Sequence, residues 1–481
     1  MTTRHFDIAI IGGGTAGMGA ARAAAKYGGT VAMIEGDQFG TTCARVGCMP
    51  SKLLIAAAES AHDIRKAGAF GINVAAPEID GKAVMARVRA ERDRFVGFVL
   101  DAVENDFPNV EKFRSMARFT SDTTLALDDG TIIQAKRIII ATGSRPAYPA
   151  AWARDLGDRL IINDDVFDWD DLPQSVAVFG GGVIGLELAQ ALSRLGVRVR
   201  LFGRDHGVGP LTDTAVRDYA AKALSDDFSF FPHADVHDIA RDGQNVRIRF
   251  TDETGQEVTE DFSYLLAATG RRTNTDKLGL ENTSLPLDDR GVPLFDPRTL
   301  QIADSPVFIA GDANNDVPLL HEAADEGRIA GDNAGRFPDV RARPRRTGLS
   351  VVFSDPQIAM SGMTLRDIQA AGLDYAIGEV SFEGQGRSRV MLKNKGLLRV
   401  YGEVGTGKFL GAEMIGPAAE HIAHLLSWAI EADRTVQDML DSPFYHPVIE
   451  EGVRTALRHL NRQLRMGPPL VENCLDCGPG A

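Results

Sequence analysis

Apolar and polar positions fall into two textures along this chain. Phe6 to Ala24 (FDIAIIGGGTAGMGAARAA) opens as an apolar run, crosses a set of glycines and continues as an alanine-rich stretch. That order predicts a strand, a tight turn and a helix. Gln174 to Leu192 (QSVAVFGGGVIGLELAQAL) repeats it. Three more apolar runs predict strands that end in glycine-containing turns: RIIIATGSRP (Arg137–Pro146), YLLAATGRRTNT (Tyr264–Thr275) and SPVFIAGDANN (Ser305–Asn315). Such strand ends are where open α/β sheets bind ligands. From about Thr347 the texture changes. SVVFSDPQIAMSG, LLRVYGEV and FLGAEMIG are strand-like, and AAEHIAHLLSWAIEA is a long amphipathic helix ahead of SPFYHPVIEEGVRTALRHL. This predicts a separate α+β unit. The tail after Met466 is rich in proline and glycine and predicts irregular structure.

Both repeated segments carry GxGxxG: Gly12, Gly14 and Gly17, then Gly180, Gly182 and Gly185. Alone the motif is weak. Placed after a strand and before a helix, it allows a tight turn, a close pyrophosphate and close helix packing, with the helix N-terminus facing the phosphates. An acid that holds a ribose is expected about 20 residues further on. In the first copy that residue is Glu35, at the end of TVAMIE, which fits a free 2′-hydroxyl. In the second copy the same offset falls on Gly203, with Arg204 next. Arg204 is read either as an acceptor of a 2′-phosphate or as a solvated surface charge.

The chain has 481 residues, enough for about three domains, with 44% hydrophobic and 25% charged positions. A net charge of −14 speaks against nucleic acid as the main partner. No run of about 18 apolar residues is present, so no membrane span is expected. The first strand begins within five residues of Met1, which leaves no room for a signal peptide. Four cysteines in so long a chain do not make a secreted disulfide scaffold, and a cytoplasmic setting is expected.

Two of those cysteines stand in TTCARVGCMPSK (Thr41–Lys52). Cys43 and Cys48 on a regular helix would be separated by roughly 7.5 Å of rise, on different faces. A disulfide needs Cα atoms about 4.4–6.8 Å apart, so a bond requires a broken turn, which Gly47 would allow. Pro50 then suits the first turn of a helix continuing as SKLLIAAAESAHDI, whose N-terminus favours a thiolate at Cys48. A metal site needs more ligands, and no other His or Cys lies near in sequence; none is expected here. Inert thiols and a redox pair are the other readings, and two nucleotide sites favour the redox pair.

With the ordered set GGGTAG, TTCARVGCMPSK, ATGSRP, GGGVIGLE, ATGRRTNT, IAGDANN, LLHEAADEG and HPVIEE, the chain resembles the FAD-dependent pyridine nucleotide-disulfide oxidoreductases. The resemblance runs from Phe6 to about His459 and is nearest to the dihydrolipoamide dehydrogenases. It implies an α/β fold with two Rossmann-like dinucleotide-binding domains and a C-terminal α+β dimerisation domain. The implied limits are 1–148 for FAD binding, 149–272 for NAD(P) binding, 273–346 completing the FAD part, 347–466 for dimerisation and 467–481 as a cysteine-containing tail.

The resemblance also implies roles. The first glycine loop and Glu35 would hold the ADP half of FAD, and Asp312 the ribityl chain. Thr42, Lys52, Thr142, Gly143, Gly311 and His321 would lie along the same cofactor. Cys48 would be the charge-transfer thiolate and Cys43 the thiol that meets substrate. Lys52 and Glu187 would pair near the reactive flavin nitrogen. The second glycine loop, with Gly203, Arg204 and Gly270, would take NAD(H) or NADP(H). His446, oriented by Glu451, would be the acid–base and would reach the disulfide of the other subunit of a homodimer. The substrate would be a small dithiol or disulfide, or a lipoyl group on a partner protein.

Some positions depart from the family pattern. Thr41 stands where a second glycine is usual, and Arg45 where an asparagine is. Arg45 is read as lowering a thiol pKa or meeting an anionic substrate. Tyr445 precedes the His-Pro pair, and Gly203 replaces the glutamate of NAD-using relatives. These departures keep an NADPH-dependent reductase of a small disulfide or a metal ion as the second reading; a redox sensor without turnover is a third. Cys474 and Cys477 in the tail are read as spare thiols, half a metal site or a redox shuttle.

Overall fold

The computed structural model describes residues 2–464. The Cys474/Cys477 pair lies outside them. Among the described residues the first sheet has seven strands. Thr3–Ile11 lies at its centre, parallel to Val31–Glu35 on one side and to Ile132–Ile140 on the other. Val307–Ile309, far along the chain, pairs in parallel with the upper half of Ile132–Ile140. Central strands buried on both faces need no polar alternation, which is why IAII and RIII read as continuous apolar runs.

The helix Thr15–Ala24 leaves the first strand and lies against Leu320–Arg336 in near backbone contact. A Cβ on Gly327 would stand 2.1 Å from the Ala16 carbonyl oxygen, and one on Gly331 2.3 Å from that of Ala20. Small residues on both helices therefore set their separation, and this packing fixes the Gly311–Asp312 turn beside the first glycine loop.

The second parallel sheet has the order Ser229–Phe231, Arg198–Phe202, Ser175–Phe179, Tyr264–Ala267, Leu160–Ile161. A three-stranded antiparallel sheet, Val236–Asp242 to Glu257–Phe262, packs beside it. The last unit is a five-stranded antiparallel sheet from Leu349 to Gly416, covered by the helices Ala419–Glu431 and Glu451–Leu464. The change of texture near Thr347 thus coincides with a change from parallel to antiparallel pairing. Among the described residues no helix is long and apolar enough to cross a membrane.

Candidate active site

The two glycine loops are built alike, and each glycine has its own reason. Gly12 and Gly180 adopt positive φ, +113° and +119°, and a Cβ on either would strike the carbonyl of Ala141 or Ala268 at 2.2 or 2.1 Å. Gly17 and Gly185 press on the Gly12 and Gly180 carbonyls, where a Cβ would come to 1.9 Å. Gly14 and Gly182 face open space at the helix N-termini. A tight turn, a cradle and a close packing point recur in that order, which suits a pyrophosphate at each loop.

Around the first cradle, Glu35 accepts hydrogen bonds from the backbone N–H of Gly13 (2.7 Å) and Asp37 (3.1 Å). The Thr142 hydroxyl is buried with no partner among the described residues, next to Gly143 at φ +67°. Asp312 accepts from the Ser144 hydroxyl at 2.6 Å, and Arg271 donates to that same hydroxyl at 2.7 Å. Glu326, not selected from the sequence, accepts from Gly311 N–H and the Asn314 amide and pairs with Arg345 at 2.8 Å. The open cradle and the unpartnered Thr142 hydroxyl fit an adenine dinucleotide. His321 is exposed at the start of its helix, 3.8 Å from Glu322.

Cys43 lies in the short helix Thr42–Val46, and Cys48 is the first residue of the helix Cys48–Lys66. The break falls at Gly47, with Pro50 in the first turn after it. Thr41, unusual at its position, caps the short helix by accepting the Ala44 N–H at 3.1 Å. Thr42 is exposed. Both cysteines are free thiols. Cys48, which is exposed, is lowered to about 7, first by hydrogen bonding with Cys43 and then by the Lys52 ammonium, against the charge of Glu187. Cys43, which donates that bond and is half-buried, is held well above its ordinary range. The pair is therefore asymmetric, with the thiolate at Cys48.

Lys52 and Glu187 form an ion pair at 2.7 Å, with the Glu187 side chain 4% exposed. Glu187 also accepts the Phe353 N–H at 2.9 Å, and the ammonium lies 4.5 Å from the Phe353 ring centroid. Gln190 exchanges two hydrogen bonds with the Asp355 backbone, which anchors that loop to the helix carrying Glu187. Asn163 donates to the Val46 carbonyl at 2.8 Å, holding the cysteine loop from the second sheet's side. Phe353, Asn163 and Gln190 carry no local motif, so sequence patterning missed them.

Two expectations need correction. The Arg45 guanidinium is turned onto the Phe39 carbonyl, and the charge acting on Cys48 is that of Lys52. Gly203 is buried against the next strand's end, where a Cβ would stand 2.7 Å from the Pro232 carbonyl oxygen. It is a packing position, so a glutamate placed there would disturb the backbone. Arg204 beside it is 91% exposed and pairs with Asp205 at 3.1 Å. Gly270, at φ +117°, accepts the Ala147 N–H.

His446 Nδ1 lies 3.0 and 3.1 Å from the two Glu451 oxygens. A carboxylate only accepts, so Nδ1 carries a proton, and in the neutral ring the Nε2 lone pair is left to accept. Glu451 is buried, whereas the imidazole is 72% exposed. Among the described residues no hydrogen bond or ion pair joins this dyad to the cysteines of the same chain. Nor does any group of three or more His, Cys, Asp or Glu have the arrangement of a metal site.

The pyridine nucleotide-disulphide oxidoreductase profile matches residues 6–327, and the dimerisation-domain profile of the same family matches 349–457. Dihydrolipoyl dehydrogenase 2 of Haloarcula marismortui is 31% identical over 94% of this chain and 96% of its own. Mercuric reductase of Streptomyces lividans is 31% identical over 92% and 93%. The crystal structure of LpdA from Mycobacterium tuberculosis has a TM-score of 0.80 at 24% identity, covering 96% of this chain and 100% of that one. The HOCl-induced flavoprotein disulfide reductase RclA from Escherichia coli has 0.79 at 23%, covering 94% and 99%. These two structures share the fold. The chain belongs to the pyridine nucleotide-disulphide oxidoreductases, flavoprotein enzymes that use FAD and NAD(P)H.

Proposed function

We propose that this enzyme oxidises a dihydrolipoyl dithiol with NAD⁺, as a dihydrolipoyl dehydrogenase does. The observation that carries the reading is the asymmetric thiol pair: Cys48 at about 7 beside Lys52, and Cys43 held protonated. In the oxidised enzyme the two sulfurs would form a disulfide. A substrate thiolate attacks Cys43 sulfur, the Cys43–Cys48 bond breaks, and Cys48 leaves as the stabilised thiolate. The second substrate thiol, deprotonated by His446 Nε2, then displaces Cys43, and the substrate leaves as a disulfide. Bound at the first glycine loop, FAD would supply the two-electron chemistry that links the dithiol to the nicotinamide.

We assign Gly12, Gly14, Gly17, Glu35, Thr142 and Asp312 to FAD, and Gly180, Gly182 and Gly185 to the nicotinamide nucleotide. His446 is exposed on the unit matched by the dimerisation profile, which supports its acting on the cysteines of a second copy. The relatives named dihydrolipoyl dehydrogenase support the lipoyl substrate.

A second reading, an NADPH-dependent reductase of a small disulfide or metal ion, is favoured by Arg204 at the ribose end of the second loop and by the mercuric reductase relative. Steady-state rates on one holoenzyme preparation separate the two. The first reading expects turnover of dihydrolipoamide with NAD⁺ well above reduction of glutathione disulfide or Hg²⁺ by NADPH. The reverse order would replace it.

A further inference from the structure

The His446–Glu451 dyad hangs on a loop that is pinned from elsewhere in the sheet unit. Glu451 Oε2, 3.1 Å from His446 Nδ1, also accepts the Val448 N–H at 3.2 Å. The Val448 carbonyl in turn accepts the side-chain amide of Gln385 at 2.7 Å. Gln385 is 3% exposed. Its carbonyl oxygen accepts both the N–H and the hydroxyl of Ser388, each at 2.7 Å. Ser388 is itself fully buried. The amide orientation is thus fixed at both ends: its oxygen meets two donors, and its NH₂ meets an acceptor. On the same turn Phe382 lies under the first turn of the Glu451–Leu464 helix, where a Cβ on Gly452 would come 2.8 Å from its ring.

We propose that Gln385 is a positioning residue for acid–base catalysis. Its amide holds Val448, and through Val448 and Glu451 it sets the direction of the His446 imidazole. This rests on the reading of His446 as the base. Nothing in GQGRSR marks Gln385 in sequence, because its partner lies 63 positions away. Gln385 and Glu451 hold Val448 by its two different peptide units, so the restraint is mechanical: with the amide gone, one of the two ties on this backbone segment is lost. The consequence is a loss of direction in the base with the nicotinamide half of the cycle untouched.

The test uses the FAD-loaded enzyme in four forms: wild type, Gln385→Met, His446→Ala and the double variant. Rapid mixing with dihydrolipoamide reads the dithiol half-reaction, and rapid mixing with NADH reads the other. Gln385→Met is expected to slow the dithiol half-reaction on the order of tenfold, the size of one lost hydrogen bond, through its limiting rate rather than the apparent Kd for dihydrolipoamide. The NADH half-reaction should stay within about twofold of wild type. In the His446→Ala background the same change should cost nothing further, since there is no imidazole left to direct.

Gln385→Glu keeps the size and the acceptor oxygen but, ionised, cannot donate to Val448. It should be slow at high pH, where it is ionised, and recover toward wild type at low pH, where the protonated carboxyl donates again, relative to the pH profile of wild type; this covers the case in which the methionine variant folds poorly. If both Gln385 variants match wild type, or if the cost is the same with and without His446, the inference is overturned. If His446→Ala itself leaves the dithiol half-reaction unchanged, it is the reading of His446 that fails.

Discussion

Removing either half of the Lys52–Glu187 pair should move the Cys48 thiol in opposite directions. Cys48 and Lys52 are four apart on one helix, so their side chains lie on one face with Cβ atoms about 6 Å apart. At an effective dielectric of about 20 that separation is worth about 2.8 kcal/mol, or about two pKa units. Lys52 is 32% exposed, and solvent screening reduces this to about one unit. Lys52→Met therefore raises Cys48 from about 7 to about 8. Glu187 acts against the thiolate from behind the lysine and more weakly than the lysine acts for it, so Glu187→Gln lowers Cys48 by less than Lys52→Met raises it.

The assay is alkylation of Cys48 by iodoacetamide in a Cys43→Ser background, where the serine hydroxyl keeps the donor. Peptide mass spectrometry separates Cys48 from Cys474 and Cys477. At pH 7 about half of a thiol of pKa 7 is thiolate, against about 10% at pKa 8 and about 90% at pKa 6. The rate at that pH should fall about fivefold in Lys52→Met and rise by less than about twofold in Glu187→Gln, since only the thiolate reacts. The pH at half-maximal rate should shift in the same senses. A shift of the same sign in both variants, or none in either, refutes the electrostatic account of Cys48.

Other consequences are simpler to read. His446→Ala should slow the dithiol half-reaction by about 10²–10⁴-fold, with flavin reduction by NADH spared in stopped-flow traces. Gly182→Val fills open space without striking the backbone, so the protein should stay folded and yellow while the KM for the nicotinamide nucleotide rises at least about tenfold. Arg204→Leu should raise the KM for NADPH about three- to tenfold and leave that for NADH unchanged, with the difference shrinking at high salt because the guanidinium is exposed.

Local patterns carried much of the site. The glycine loops were legible because strand, turn and helix are contiguous, and the break between the cysteines followed from Gly47 and Pro50 within eight residues of Cys43. Lys52, Glu187 and the His446–Glu451 dyad were reachable through resemblance, and the distances of 2.7 and 3.0 Å bring each pair together. What stayed hidden depends on chain segments meeting from afar. Phe353 closes on Glu187 across 166 positions and Asn163 on Val46 across 117. Arg45 was misjudged because its choice between the dithiol and the Phe39 carbonyl is a rotamer choice, invisible in spacing. Gly203 was read for its missing carboxylate, while its contact with Pro232 made glycine the residue that packs there.

The central claim is that Cys43 and Cys48 are the dithiol that exchanges with substrate beside a bound flavin, with Cys48 as the thiolate. Anaerobic titration of the FAD-loaded enzyme with dihydrolipoamide tests it most directly. One equivalent per FAD should bring up a long-wavelength charge-transfer absorbance whose pH midpoint is about 7, high above that midpoint and lost below it, and absent in Cys48→Ser. Bleaching of the flavin with no such band, or a band that survives in Cys48→Ser, would contradict the account.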